Sequence, residues 1–392
     1  MTSVLIAGVS TRAAAESAAL AGFAVTALDA FGDLDQHPSV RALSLQRDFG
    51  RRFSAGAAAR AARTVACDAV AYLASFENHP AAVRTLSAGR TLWGNPPEVL
   101  RRVRDPLLVA RVFRGRGLAA PAVLLGSCAV GDVQSRRWLA KPRASGGGHG
   151  ISPPGLSSAS TLRAPRGWYL QEQIDGTPAS VVLVAAGGSA VPLGMSRQLV
   201  GEPAFGAHGY RYCGSILAAA GDPHLARDRA LVTRARELVA AVAEELGVIG
   251  VNGIDFVARA GVPYPIEVNP RFSASMELVE RAYGLSVFGL HANACAAGAL
   301  PAFDMMRARR RAGAVGKAIV FARHDVVAGN TRDWLGDSSV RDVPWPGEHL
   351  QRGRPVCTVF AHGRDSAACH AALVRRAERI HEQLAAWKRE VA

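Results

Sequence analysis

Two carboxylates, an amide and an arginine lie close together in the chain: Asp255, Glu267, Asn269 and Arg271. Glu267 and Asn269 are two residues apart, so on a strand they project from the same face. Asp255, on the preceding apolar run, can lie across from them. Two carboxylates and an amide oxygen on one sheet face are hard oxygen ligands suited to Mg²⁺ bridging nucleotide phosphates. Arg271 follows two positions later and can stabilise a phosphoryl group in transfer. A solvated surface is a poor alternative, because the flanking Phe256, Ile266, Val268 and Phe272 are apolar.

A second set lies upstream. Lys141 ends the strand-like run Arg137–Pro142 and precedes Ser145, Gly146, Gly147, Gly148, His149 and Gly150. A glycine-rich loop can fold its N–H groups around phosphate oxygens while the lysine supplies a point charge. A plain surface hairpin is the alternative. A third segment, Gln171, Glu172, Gln173, Ile174, Asp175 and Gly176, reads as a strand edge and turn, where backbone groups can bind an adenine ring. Lys141 stands out for another reason: with Lys317 and Lys388 it is one of three lysines, every other basic side chain being arginine.

Other chemistries lack their residues. The histidines are dispersed and no G-x-S-x-G elbow is present. The turn Gly8-x-Ser10-x-Arg12 lacks the dinucleotide glycine pattern. The six cysteines form neither a C-x-x-C pair nor a zinc-spaced cluster and read as buried thiols of a reducing cytoplasm. The chain carries 46 Lys+Arg against 32 Asp+Glu, a net charge of +14. About one residue in five is alanine, so the arginine excess reads as compositional bias. The basic residues are scattered and not interleaved with aromatics, which argues against nucleic acid and for small anionic ligands. No run of about 18 apolar residues suggests a membrane span, and Met1–Gly8 reads as a first strand rather than a signal peptide.

Elements must hold these groups. The 392 residues suffice for two or three domains. Residues 1–98 alternate strands (2–9, 23–30, 69–74 and 91–93) with helical stretches, which predicts a small open parallel sheet. Ser10, Arg12 and Glu77 fall at carboxyl ends of its strands, where such sheets bind ligands. A helix is expected over 98–116. Paired strands are expected at 180–185 and 190–196, and at 248–257 and 264–269. Helices are expected at 228–246, 276–283 and 366–391, and strands at 316–322 and 356–361. The segment Gly201–Gly214, with its glycines and tyrosines, has the composition of a mobile flap.

The run Pro265-Ile266-Glu267-Val268-Asn269-Pro270-Arg271-Phe272-Ser273 resembles the E-x-N-x-R metal motif of ATP-grasp ligases. Lys141, the glycine-rich loop and the Gln171–Gly176 hinge follow that family's order. The resemblance covers about residues 95–300. It implies an α/β pre-grasp domain at 1–98, a small ATP-grasp subdomain at 99–178, a large one at 179–304, and a C-terminal extension at 305–392. It also implies ATP clasped between the subdomains, with one or two Mg²⁺ (or Mn²⁺) held by Asp255, Glu267 and Asn269. Lys141, Ser145, Gly146, Gly147 and Gly148, with Glu172, Gln173, Ile174 and Asp175, would bind the nucleotide. Lys141, Arg197 and Arg271 would be catalytic. The implied reaction joins a carboxylate to an amine through an acyl phosphate, releasing ADP. The family's second nucleotide-binding lysine is absent, with Arg102 and Arg104 nearest, and its ribose-binding acid is not evident.

Four residues are expected to face the substrates. Ser10 and Arg12 could bind a carboxylate at the first helix's N-terminus, with ordinary capping by Ser10 as the alternative. Glu77 could hold an amine or cap a helix. Gln198, beside Arg197, would face the γ-phosphate. The pattern resembles the ATP-grasp group of the pyrrolysine-biosynthesis and tyramine–glutamate ligases, and most resembles a branch serving one-carbon cofactor synthesis in methylotrophs. That placement implies an amino acid such as glutamate as one partner, a cytoplasmic enzyme, and a homodimer in keeping with related ligases. The alternatives are a non-catalytic ATP-binding regulator of the same fold and a ligase of amino-acid or dipeptide metabolism.

Overall fold

The structure is a computed structural model that describes residues 1–129, 136–154, 156–158, 161–217, 219–225 and 228–391. Short apolar runs separated by helices make the N-terminal region a parallel sheet: β1 (Ser3–Ala7), β2 (Ala24–Asp29), β3 (Arg41–Ser44), β4 (Ala69–Tyr72) and β5 (Thr91–Trp93). Their spatial order is β3-β2-β1-β4-β5, so the chain reverses direction about β1. Helices α1 (Arg12–Leu20), α2 (Leu45–Phe49), α3 (Ala55–Ala61) and α4 (Pro80–Ser87) make the crossovers. The sequence reading placed no element at β3, α2 or α3. They are short and carry several arginines, and α2 and α3 start on serine caps: Ser44 accepts from Arg47 N and Ser54 from Ala57 N.

The expected helix over 98–116 is two helices, α5 (Pro97–Val103) and α6 (Pro106–Gly115). Pro106 has no N–H to continue the first, and the Asp105 side chain accepts from Leu107 N and Leu108 N to start the second. The break leaves Arg104 at the end of α5, from which its side chain reaches outward.

Six short strands follow: β6 (Val123–Leu124), β7 (Ser127–Ala129), β8 (Trp138–Pro142), β9 (Leu156–Ser158), β10 (Thr161–Arg163) and β11 (Trp168–Glu172). They form two three-stranded sheets, β6-β11-β8 and β7-β10-β9. The remainder builds one eight-stranded antiparallel sheet in the order β16-β15-β12-β13-β14-β17-β21-β19. Its strands are β12 (Thr177–Ala186), β13 (Ser189–Val200), β14 (Tyr212–Leu217), β15 (Gly250–Arg259), β16 (Val262–Asn269), β17 (Ala314–Phe321), β19 (Val340–Arg341) and β21 (Pro355–Gly363). A separate pair joins β18 (Val326–Val327) to β20 (His349–Leu350). Residues 305–392, read from the sequence as an extension, thus supply three strands of the main sheet.

Helices α7 (Asp228–Leu246), α10 (Met305–Arg311) and α11 (Ser366–Val391) cover one face of this sheet, while α8 (Met276–Tyr283) and α9 (Val287–Ala297) fill the space between the other face and the N-terminal sheet. Helix α9 shows no amphipathic stripe because both sides are packed: Phe288 and Ala292 lie in a core shared with Trp93 and Val251. Asn95 ties the layers together. Its Nδ2 donates to Asn252 Oδ1 at 2.8 Å and to Pro270 O at 3.0 Å, and Tyr72 Oη donates to Asn95 O at 2.8 Å. No helix among the described residues is long and apolar enough to cross a membrane.

Candidate active site

The β15–β16 hairpin makes the acidic centre. Its turn, Ala260-Gly261, has positive φ at both residues, 52° and 80°, as a tight primed turn requires. The register then places Asp255 opposite Glu267 and Gly253 opposite Asn269. A bulge next to Asp255 leaves Phe256 opposite Pro265, so Ile266 is the extra residue. The bulge lets Ile266 and Glu267, consecutive in sequence, both line one cleft.

Asp255 accepts from Gln198 Nε2 at 2.9 Å through Oδ1 and from Asn269 Nδ2 at 2.9 Å through Oδ2. Burial, with the Glu267 charge beside it, pushes the Asp255 carboxyl up to about 7. Glu267 goes the other way. Burial disfavours its charge too, but Arg104 and Lys141 outweigh that and hold it below the usual range. Arg104 Nη1 pairs with Glu267, and its Nη2 donates to Ser145 O at 3.1 Å. Arg104 therefore joins the acidic centre to the glycine-rich loop, in the place where the sequence left Arg102 and Arg104 unresolved.

Lys141 on β8 is buried and donates from Nζ to Gln171 Oε1 at 3.0 Å, while Gln171 Nε2 donates to Ile266 O at 3.2 Å. The cleft beside them is lined by apolar Val103, Val109, Val123, Tyr169 and Ile266 together with Arg104, Lys141, Ser145, Gly146, Gly148 and Glu267. A flat apolar base and a charged phosphate chain would find partners of both kinds there. Gly148 permits the loop's closure. Its φ is +78°, and a Cβ there would lie 1.8 Å from Tyr210 O. Across the same contact Tyr212 N donates to Gly147 O at 3.0 Å.

Arg271 donates from Nε to Glu77 Oε1 at 2.8 Å and from Nη2 to Asn269 Oδ1 at 3.3 Å. Glu77 sits in a single 3₁₀ turn, Phe76–Asn78, after β4. Ser75, with φ 86°, turns the chain into it, a conformation few non-glycine residues adopt. Glu77 thus reaches the acidic centre from the N-terminal sheet, and Asn78 Nδ2 donates to Ser145 O at 3.4 Å.

Other expected site residues stand elsewhere. Arg12 is fully buried, paired with Asp342 at 2.7 Å, Glu277 at 2.7 Å and Glu16 at 2.8 Å, with Asp35 at 3.7 Å. Burial alone would favour its neutral form, yet these carboxylates hold it charged, and the side chain is not among those that line the cleft. The start of α1 is closed too, since Asp29 Oδ2 takes both Thr11 N and Thr11 Oγ1. Ser10 is exposed at the end of β1. Arg197 alternates with Gln198 along β13 and points to the opposite face, where its charge acts on Cys369 of α11.

The expected adenine-binding segment divides between the cleft and the exposed side. Gln171 lines the cleft, whereas Glu172 pairs with Arg136 and Asp175 with Arg137 on the exposed side. Glu172 N and Gln173 N bond to Ala122 O and Arg137 O, and neither Gln173 nor Ile174 lines the cleft. Gly201–Gly214 is packed rather than loose, with Phe205 and Ala207 fully buried and Gly201 N bonded to Arg211 O.

Among the described residues no group of three His, Cys, Asp or Glu side chains is placed to hold a metal ion. The acidic centre has two carboxylates, and its third oxygen ligand is the Asn269 amide. That set fits Mg²⁺ whose remaining ligands come from nucleotide phosphates and water.

This is the ATP-grasp fold, a mixed α/β architecture with an N-terminal parallel sheet followed by antiparallel sheets. Residues 103–275 match the family model described as an ATP-grasp domain. Among solved structures, Rhizobium etli pyruvate carboxylase superposes with a TM-score of 0.68 at 15% identity, over 96% of this chain but 37% of that one. Campylobacter jejuni biotin carboxylase, solved as its beta-gamma-ATP complex, gives 0.68 at 13% identity over 95% of this chain and 89% of that one. The L-amino acid ligase of Bacillus licheniformis gives 0.64 at 15% identity over 97% of both chains. No curated protein matches the sequence.

Proposed function

We propose that the chain is an ATP- and Mg²⁺-dependent carboxylate–amine ligase. The observation that carries this is a connected set of groups: Arg104, Lys141 and Glu267 line one cleft, and beside Glu267 Asp255 bonds to Asn269 and Asn269 to Arg271. Mg²⁺ held by the first three would bridge the phosphates of ATP and neutralise their charge. Lys141 and Arg104 offer cationic donors to phosphate oxygens from the small subdomain. Gly146 and Gly148 bring backbone close to the same phosphates without side chains in the way. Arg271, anchored by Glu77 and Asn269, presents its guanidinium where a substrate carboxylate would meet the γ-phosphate. The carboxylate takes the γ-phosphoryl group and ADP leaves. An amine then displaces phosphate from the acyl phosphate to form the amide. Positioning and charge neutralisation perform this chemistry, which is consistent with a site that has no nucleophile–base pair.

The amino-acid ligase among the similar structures supports an amino acid as one substrate. Glutamate is the first to test, given the resemblance of Phe76-Glu77-Asn78 and Arg211-Tyr212-Cys213-Gly214 to one-carbon cofactor ligases. The test is ADP release with MgATP over a panel of amino acids and amines, with the product's mass measured. A substrate pair that stimulates ADP release and yields a product lighter than the sum by one water supports the reading. No stimulation by any amino acid, or unchanged rates in Glu267→Ala and Lys141→Ala, overturns it.

A further inference from the structure

Beside the nucleotide cleft the buried polar groups do not all find partners. Glu77 is about 2% exposed, and only one of its carboxylate oxygens is used: Oε1 accepts from Arg271, while Oε2 is buried with no donor. On the next residue, Asn78 spends its amide N–H on Ser145 O, and its Oδ1 is also buried with no donor. Two acceptors on consecutive residues of one 3₁₀ turn are thus left open at the end of β4 nearest Arg271 and the glycine-rich loop. A buried carboxylate oxygen or amide oxygen without a hydrogen bond is costly, and native structures fill such positions with protein, water or ligand. Two nearby hydroxyls are already engaged, since Tyr72 Oη donates to Asn95 O and Ser145 Oγ to His149 O.

We infer that Glu77 Oε2 and Asn78 Oδ1 bind the N–H groups of the amine substrate, as its ammonium form, at the border of the N-terminal sheet and the cleft. This rests on the ligase reading above and adds where the amine waits as its ammonium ion, which becomes the nucleophile only after it gives a proton to the Glu77 carboxylate that holds it. The charge arrangement fits. Arg271 lies on Glu77 Oε1 and faces the acyl partner, so the other carboxylate oxygen is kept for a cation. The ligand class is a primary or secondary amine, because two separate acceptors need two N–H donors. A quaternary ammonium ion has the charge but no donors and would bind no better than background salt. Access follows movement of the Ser145–Gly150 loop, whose Ser145 carbonyl takes hydrogen bonds from both Asn78 and Arg104.

The experiment uses the full chain with MgADP, and methylammonium chloride as the probe against tetramethylammonium chloride at equal ionic strength. Thermal shift and saturation-transfer NMR read binding. Methylammonium is expected to saturate and tetramethylammonium is not. Glu77→Gln and Asn78→Ala are each expected to raise the half-saturating methylammonium concentration about tenfold or more, the loss typical of a hydrogen bond to a charged group. Asn78 is half-buried, so Asn78→Ala keeps the test open should Glu77→Gln fold poorly. Equal responses to the two salts, or variants that bind methylammonium as the parent does, would overturn the inference and mark these oxygens as water sites. A missing MgADP shift would instead defeat the ligase reading, which the methylammonium arms do not measure.

Discussion

Asp255 holds a charge that its burial disfavours, and neutralising it should make the protein more stable while stopping its chemistry. The carboxyl titrates near 7 in the folded chain against an ordinary value of 3.8, chiefly through burial and secondly through Glu267. Between those two values the native state binds more protons than the unfolded chain, so wild-type stability falls as pH rises through the window and levels off above it. The shift corresponds to about 4 kcal/mol at pH 8. Asn at this position keeps one acceptor but turns a second oxygen into an N–H facing the Asn269 amide N–H, a loss of about 1–2 kcal/mol. Asp255→Asn is therefore expected to gain about 2–3 kcal/mol over the parent at pH 8. Around pH 4, where the parent carboxyl is already protonated, the gain should vanish or reverse. Urea unfolding in EDTA at pH 4, 6 and 8 measures this, with Mg²⁺-dependent ADP release run alongside. A variant less stable than the parent at pH 8, or a difference that does not grow with pH, would refute the reasoning. A gain in stability paired with loss of ADP release is the pattern expected of a residue kept for function.

Three further outcomes follow from named groups. Arg12→Met strands Asp342 and Asp35 without their cation, while Glu277 keeps Lys317 and Arg281, and should cost about 3–5 kcal/mol in urea unfolding at pH 7, with part regained near pH 5; a loss under about 1 kcal/mol would contradict the network. His291 is buried and kept neutral down to about 4, accepting from Val251 N, so the unfolded chain binds more protons between pH 4 and 6.5. Parent stability should fall by about 3 kcal/mol as pH drops through that window, and His291→Gln should flatten the fall, as equilibrium unfolding across that range will show. Gly148→Ala would push a Cβ into Tyr210 O and displace the glycine-rich loop; the KM for ATP should rise about tenfold or more while the melting temperature moves little.

The acidic centre was legible because β-strand alternation is a local rule. Glu267 and Asn269 two apart, with apolar neighbours, define a face, and hairpin pairing brings Asp255 opposite. Lys141 was legible as one of three lysines beside a glycine run. What the sequence hid depends on distance in the chain. Arg12 looked available at a helix start until Asp342, Glu277 and Asp35 closed around it from three other segments. Arg197 and Gln198 are adjacent, and only the pairing of β13 with β15's neighbour β12 decides which of them faces Asp255. Arg104 gained its role from the helix break at Pro106, a local signal, but its partner Glu267 lies far along the chain. Which residues of the Gln171–Gly176 segment line the cleft was not legible either, because Gln171 points into the cleft and Glu172 points out, an alternation fixed by β11 pairing with β8.

The fold followed the same division. Periodic elements such as α7 and α8 sit where their patterns put them. Elements left unassigned, β3, α2, α3 and α9 among them, are either too short for a period or buried on too many sides to show one. The C-terminal strands could be foreseen as strands but not as members of the main sheet, because β17 pairs with β14 across the intervening helices.

The most direct test of the central claim follows one oxygen atom. With the carboxylate substrate from the ADP-release panel labelled with ¹⁸O, the phosphate produced in the MgATP reaction is analysed by ³¹P NMR. Attack of the carboxylate on the γ-phosphate, followed by amide formation, must carry one labelled oxygen into inorganic phosphate, and Glu267→Gln must abolish the signal. Unlabelled phosphate alongside amide product, or labelled phosphate persisting in Glu267→Gln, would contradict carboxylate phosphorylation at this site.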